Sequence, residues 1–170
     1  SLAIGGAVAW YQRDGFGTNM TTGTEHYNKD VLAGRISAEF TPSDDIFIRI
    51  AADKIIDKSN PRHGTRLVGN GTNPVFAPTA SVYDTRAGIG DKNKVETQGM
   101  SLTAEFGLSD AVTFKSISAY RDGHTDTFID FDNTPGPVLD VPAFYDDRQF
   151  TQEFQLLFEG DRIQGVAGLY

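Results

Sequence analysis

The chain has 170 residues, no cysteine and a formal charge of −8. Without cysteine there is no disulfide framework, thiolate metal site or thiol nucleophile, and an acidic chain is a poor match for nucleic-acid phosphates. Glycine, at 18 residues, exceeds its usual share of about 7%, which suits turns, loops and strands better than helices.

Taken in order, the chain reads as segments of roughly nine to thirteen residues that alternate apolar and polar, the period of a half-buried strand. Leu2–Arg13 sets Leu2, Ile4, Val8 and Trp10 against Ala3, Ala7, Tyr11 and Arg13. After a long polar stretch, Asp14–Asp30, the segment Val31–Phe40 sets Leu32, Ile36, Ala38 and Phe40 against Arg35, Ser37 and Glu39. A short connection, Thr41–Asp45, carries Pro42, whose fixed φ suits a turn. Ile46–Asp57 then opposes Ile46, Ile48, Ile50 and Ala52 to Arg49 and Asp53. The longest loop, Lys58–Lys94, follows. Val95–Gly107 opposes Met100, Leu102, Ala104 and Phe106 to Ser101, Thr103 and Glu105. Past Leu108–Ala111, Val112, Phe114 and Tyr120 oppose Lys115 and Arg121, and Asp122–Asp147 reads as a third long loop. Arg148–Phe158 opposes Phe150, Phe154, Leu156 and Phe158 to Gln149, Glu153 and Gln155. Glu159–Arg162 is a turn, with Gly160-Asp161 as its expected centre, and Ile163–Tyr170 begins a seventh strand.

No segment combines helical periodicity with capping residues, so almost no helix is predicted. The expected fold is all-β, an antiparallel meander of six to seven long strands. Short and long connections take turns along the chain, which puts all short turns at one end of such a sheet and all long loops at the other. No run of about 18 apolar residues exists to make a transmembrane helix. Tilted strands of about 9–11 residues with turns of this asymmetry instead suit a transmembrane β-barrel. Aromatic residues near the ends of apolar faces (Trp10, Phe40, Phe106, Tyr120, Phe158) are placed like interfacial girdles. A passive porin-like barrel and a soluble β-rich binding module share this strand pattern and stay open as alternatives.

The order of segments is also distinctive. Arg13-Asp14-Gly15-Phe16-Gly17, Asn28-Lys29-Asp30-Val31 and Pro42-Ser43-Asp44-Asp45 are followed by Pro61-Arg62-His63-Gly64. Lys115-Ser116-Ile117-Ser118-Ala119-Tyr120-Arg121 and Gln152-Glu153-Phe154-Gln155-Leu156 come next, with Gly165-Val166-Ala167-Gly168-Leu169-Tyr170 at the end. This series resembles the barrel of TonB-dependent outer-membrane receptors of Gram-negative bacteria, over essentially the whole chain. The resemblance implies a 22-stranded barrel around an N-terminal plug, of which residues 1–170 would be one part of the wall. It implies energised uptake of a scarce ligand such as a ferric siderophore, with coupling to the TonB complex through the plug and outer-membrane lipid around the wall. Read this way the chain is an internal fragment lacking the plug.

Charges at mid-strand are costly when they face lipid, so Arg35, Glu39, Arg49, Asp53, Glu105, Lys115, Arg121 and Glu153 are expected to line the lumen. Arg62, His63 and Arg66, in the longest loop, are candidate ligand-binding residues. The same Arg62-His63-Gly64 resembles the nucleophile motif of histidine phosphatases, but that chemistry needs a buried strand directly before it within an α/β scaffold. No serine-hydrolase elbow is present; the expectation is no catalysis and no cofactor. The aspartates Asp122, Asp126, Asp130, Asp132, Asp140, Asp146 and Asp147 lack calcium-loop spacing and read as a solvated loop. The basic second loop (Lys58, Arg62, Arg66, Arg86, Lys92, Lys94) is expected to pack on that acidic loop or contact lipid phosphates; holding an anionic ligand is the alternative.

Overall fold

The computed structural model describes residues 1–69 and 71–170. Successive side chains of a strand point to opposite faces, and its backbone groups need partners on both edges. The period-two segments meet both demands by pairing with their sequence neighbours. The elements are β1 (Leu2–Arg13), β2 (Gly17–Thr18), β3 (Glu25–His26), β4 (Lys29–Ser43), β5 (Ile46–Asp57), β6 (Asn93–Ser109), β7 (Val112–Asp130), β8 (Asp140–Glu159) and β9 (Gln164–Leu169). Seven of them form one antiparallel sheet in the order β1-β4-β5-β6-β7-β8-β9, and β2 pairs with β3 as a separate two-stranded ribbon. The sheet is open, with β1 and β9 at its edges. Helix is confined, among the described residues, to one 3₁₀ turn at Pro74–Phe76, capped by the Asn73 side chain on the Val75 amide.

Several boundaries differ from the sequence reading: β4 runs from Lys29 to Ser43, β6 from Asn93 to Ser109, and the stretch Asp14–Asp30 holds the ribbon β2–β3. The segment Asp122–Asp147 is not one long loop: β7 runs on to Asp130, β8 begins at Asp140, and only residues 131–139 connect them. Its polar residues read as loop, yet they sit in ladder register, Asp122 with Arg148 and His124 with Asp146. Ion pairs from Arg148 to Asp122 (3.2 Å) and Lys92 to Asp126 (3.0 Å) and a cross-strand hydrogen bond between His124 and Asp146 (2.6 Å) hold this extension together. The last turn is centred on Asp161-Arg162 rather than Gly160-Asp161, because the Gly160 amide donates to the Ile163 carbonyl at 2.9 Å.

The register separates the side chains into two faces. One carries Leu2, Ile4, Val8 and Trp10 of β1, Leu32, Ile36, Ala38 and Phe40 of β4, and Ile48 and Ile50 of β5. It continues through Met100, Leu102 and Phe106, then Phe114 and Tyr120, then Phe150, Phe154, Leu156 and Phe158. No second sheet covers it: Val8 is 80% exposed and Phe150 68%. The buried apolar side chains among those described are only Ala51, Pro61, Ala87 and Ala143, so this fold has no apolar core of the usual kind. The margin of the apolar face is oblique to the ladder rows. The row through Trp10 and Leu32 passes Ile56 and then meets Glu96, His124 and Asp146. By β7 and β8 the margin has dropped to Tyr120 and Phe150.

The opposite face carries all eight charged residues expected to line a lumen. Six of them pair: Arg49 with Glu39 (3.4 Å), Lys115 with Glu105 (2.9 Å) and Arg121 with Asp53 (3.1 Å). The Arg121–Asp53 pair reaches across β6, where Gly99 is in register with both partners. A Cβ on Gly99 would meet Cγ and Cζ of Arg121 at 3.3 Å, so the missing side chain is what lets the arginine lie across the strand. The pair is largely solvated, and such pairs contribute about 0.2–1 kcal/mol. A double-mutant cycle on Arg121 and Asp53 should give a coupling in that range, and the same cycle built on Gly99→Val should give none. Equal coupling in both backgrounds would show that Gly99 has no part in the pair.

Candidate functional site

At the end of the sheet opposite the tight turns, three connections fold onto one another. Residues 14–28 hold the ribbon β2–β3, residues 58–69 and 71–92 lie across it, and residues 131–139 close against the second. Backbone pairing ties the first two: Met20 N–H donates to the Thr85 carbonyl (2.8 Å) and Thr85 N–H to the Thr18 carbonyl (3.0 Å). Hydroxyls of Thr22 and Thr24 both donate to the Asp91 carboxylate, at 2.9 and 2.6 Å. The second is joined to the end of β7 by Gly88 N–H to Asp130 (2.9 Å) and to the third by Arg66 Nε to the Asp132 carbonyl (3.1 Å).

The result is a polar interior. Asn19 and Thr85 are fully buried, and His26 and His63 nearly so. Thr85 shows how such burial is tolerated, since its hydroxyl donates to the Gly64 carbonyl (2.7 Å) and accepts from Ala87 N–H (3.3 Å). Around this interior Phe16 stacks on Tyr27 and meets Tyr83 edge-on, each with centroids 4.9 Å apart. Arg13 lies 4.8 Å over Phe16 and donates to the Tyr27 carbonyl. The sequence reading missed this cluster, because nothing local distinguishes a solvated threonine or asparagine from one buried by a distant loop.

The three candidate ligand residues separate. Arg62 is exposed, with its guanidinium 5.9 Å from the Tyr27 ring centroid. His63 is buried, its Nε2 donating to the Gly90 carbonyl at 3.2 Å. Its ring stacks on that of His26 with centroids 6.2 Å apart. Both Arg62 and His63 line a cavity of about 310 Å³ with Lys29, Asp57, Ser59 and Asn93. Arg66 is not part of it; that side chain turns to the third connection and lies 5.3 Å over Phe76. The cavity sits beneath the loops, on the side of the sheet that carries the paired charges, since Lys29, Asp57, Asn93 and Thr127 share that face. Arg62 and Lys29, beside the Ser59 hydroxyl and the Asn93 amide, fit an anionic, oxygen-rich group, with the Asp57 carboxylate opposing them. Lys29 and Asn93 were outside the sequence reading because they belong to strand ends far apart in the chain.

One acidic group has metal-ligand character. Carboxylate oxygens of Asp130, Asp132 and Asp140 lie within 4.8 Å of one another, and hard oxygen donors suit calcium. Asp130 and Asp132 are, however, already used as backbone acceptors. Asn133 N–H donates to Asp130, and Thr134 and Leu139 N–H to Asp132. Burial pushes the Asp132 carboxyl up, but these bonds and Arg66 outweigh it and hold it below the usual carboxylate range. Asp132 therefore shapes the connection as an anion, and Asp130 shapes it as an acceptor of backbone amides.

No protein-family model, curated protein or solved structure matches the chain.

The histidine makes the loop layer acid-sensitive. Burial holds His63 below its ordinary pKa of 6.5, with His26 acting in the same direction and the Gly90 hydrogen bond, Asp91 and Asp130 opposing. An opened layer therefore binds protons more readily than the packed one. The stabilisation is full above the ordinary histidine pKa and is lost as pH falls below it. Amide protection factors at Met20 and Thr85 should drop between pH 7.5 and 5.5 in the native protein and change little in His63→Gln. Equal drops in both would assign the effect to other groups. Separately, Thr85→Val leaves the Gly64 carbonyl and Ala87 amide without their partner. It should destabilise the layer by about 1–3 kcal/mol, read from the same amides.

Proposed function

We propose that this chain is a section of the wall of an outer-membrane, TonB-dependent receptor that takes up a scarce ligand, such as a ferric siderophore, at the expense of inner-membrane energy. The observation that carries the membrane part is the pairing of an uncovered apolar face with a face of matched charges, on strands joined in sequence order. A soluble sheet must cover its apolar face, and this one has neither a second layer nor an apolar core. Lipid supplies the cover instead.

Other features agree. On β1, β4, β7 and β8 the apolar stretch runs from Leu2 to Trp10, Leu32 to Phe40, Val112 to Tyr120 and Phe150 to Phe158. Each spans nine residues, close to the roughly 9–11 needed by a tilted strand. The oblique margin is what tilt requires, because a membrane plane cuts tilted strands at successive heights. Register shifts at Phe40/Ser43 and Gly107/Ser109 lie at the tight-turn end, and bulges are frequent at barrel rims. Polar residues within the apolar stretch, Ser116, Ser118 and Gln152, bond one another: Gln152 Nε2 donates to Ser116 Oγ (3.0 Å), and Ser118 Oγ donates to Gln152 Oε1 (2.5 Å). That meets the requirement that polar groups in hydrocarbon be satisfied internally. The receptor assignment rests on the sequence resemblance, and the cavity beneath the loops is where an anionic ligand would first meet Arg62, His63 and Lys29.

Two experiments test the two halves. Ile50→Arg, near the middle of the apolar stretch, should cost about 2–4 kcal/mol in lipid vesicles, and Ser101→Arg on the charged face should cost about 1 kcal/mol or less. Equal costs would remove the membrane reading. Deleting the gene should abolish uptake of a cognate ferric complex by whole cells, and collapsing the proton gradient should do the same in the native strain. Uptake that persists without the gradient would favour a passive porin-like barrel.

A further inference from the structure

We propose that the apolar face carries a groove for one acyl chain of a net-anionic, phosphate-bearing membrane lipid, with Lys54 holding the headgroup; this rests on the membrane reading above. A cavity of about 670 Å³ lies across β1, β4 and β5, lined by Ile4, Gly6, Val8, Gly34, Ile36 and, with them, Lys54. Register puts all six on the apolar side: Gly6 opposite Ile36, Val8 opposite Gly34, and Gly34 opposite Lys54.

The two glycines are not demanded by the chain itself. Neither has a left-handed φ. A Cβ on Gly34 would meet only the Ala7 carbonyl oxygen at 4.0 Å, and one on Gly6 the Arg35 carbonyl oxygen at 3.4 Å. Glycine weakens a strand interior and often marks a place where a ligand approaches the backbone closely. Nothing within the chain fills this groove, since Ile4 is 71% and Val8 80% exposed. The approaching body therefore comes from outside, and along these walls it is hydrocarbon.

The charge at one end selects the kind of hydrocarbon. Lys54 is exposed and has no ion-pair partner among the described residues, whereas Arg148 and Lys94 on the same face each pair with an acid. It stands one position in the alternation beyond Ala52, where the apolar stretch of β5 first breaks. An ammonium at the edge of an apolar groove matches the phosphate of a lipid whose chain lies along the groove, and a net-anionic lipid is favoured over a zwitterionic one.

Trp10, the sole tryptophan, follows Val8 on the same face and can report occupancy. The full chain in phosphatidylcholine vesicles is titrated with phosphatidylglycerol brominated on its acyl chains, and separately with brominated phosphatidylcholine. Trp10 should be quenched with about a fivefold preference for phosphatidylglycerol, the effect of one lysine beside an anionic lipid surface. Lys54→Gln should remove the preference and Lys54→Arg keep it. Gly34→Leu, which fills the groove while leaving Lys54 in place, should reduce the preference as well. Equal quenching by both lipids in the native chain would overturn the lipid site and leave the membrane reading standing. Quenching by neither would overturn both.

Discussion

Six antiparallel ladders hold seven strands together with almost nothing apolar packed beneath them, so backbone pairing carries a share of this fold that packing carries elsewhere. The consequence runs through every other feature. A ladder fixes register, and register fixes the face to which each side chain points. A slip of one residue in β5 would carry Ile48 and Ile50 to the charged side and Arg49 and Asp53 to the apolar side. It would separate Arg49 from Glu39 and Asp53 from Arg121 together. Cross-strand pairs are individually weak, but each opposes the same slip, so their joint effect is on specificity rather than on stability.

Beyond the apolar stretch the same ladders take on a different task. β7 and β8 continue in a segment rich in aspartate, a residue of low strand propensity, set among threonine and aromatic residues that favour strands. What stabilises the extension is electrostatic: Arg148, Lys92 and His124 come to the aspartates from neighbouring strands and from the loop before β6. The extension in turn supports the loop layer. Asp130, its last residue, receives the Gly88 amide from the second connection and the Asn133 amide from the third. Strand, extension and loop layer form one continuous hydrogen-bonded body whose interior is mostly polar, with Ala87 and Ala143 as small apolar insertions.

What was legible in the sequence follows from this division. Strand existence, order and facing depend on a period of two, which is local, and for that reason the eight charged positions fall together on one face as the alternation implies. The Asp122–Asp147 segment was misread because its stabilising partners are distant, and a window of a few residues contains none of them. The same holds for the site. Arg62 and His63 are neighbours in the chain and stay together, but Arg66 is drawn away by the Asp132 carbonyl, and Lys29 and Asn93 arrive from the ends of strands that only the ladder brings close. The buried Asn19, His26 and Thr85 are the extreme case, since their burial is created wholly by loops folding on loops.

Two kinds of glycine separate structure from recognition in this sheet. Gly99 is explained from within, because Arg121 crosses the space a side chain would fill on the way to Asp53. Gly6 and Gly34 lie on the opposite face, where no side chain of the protein crosses and a Cβ would meet only ordinary contacts. The same residue type thus records, on one face, a contact the chain makes with itself. On the other it records room left for a neighbour. The division matches the charges: acids and bases on the first face are mostly paired across strands, and the lysine beside the second pair of glycines makes no ion pair among the described residues, with Glu96 only near enough to feel its charge. A surface arranged this way is complete only against its surroundings, which for the apolar face we propose to be lipid.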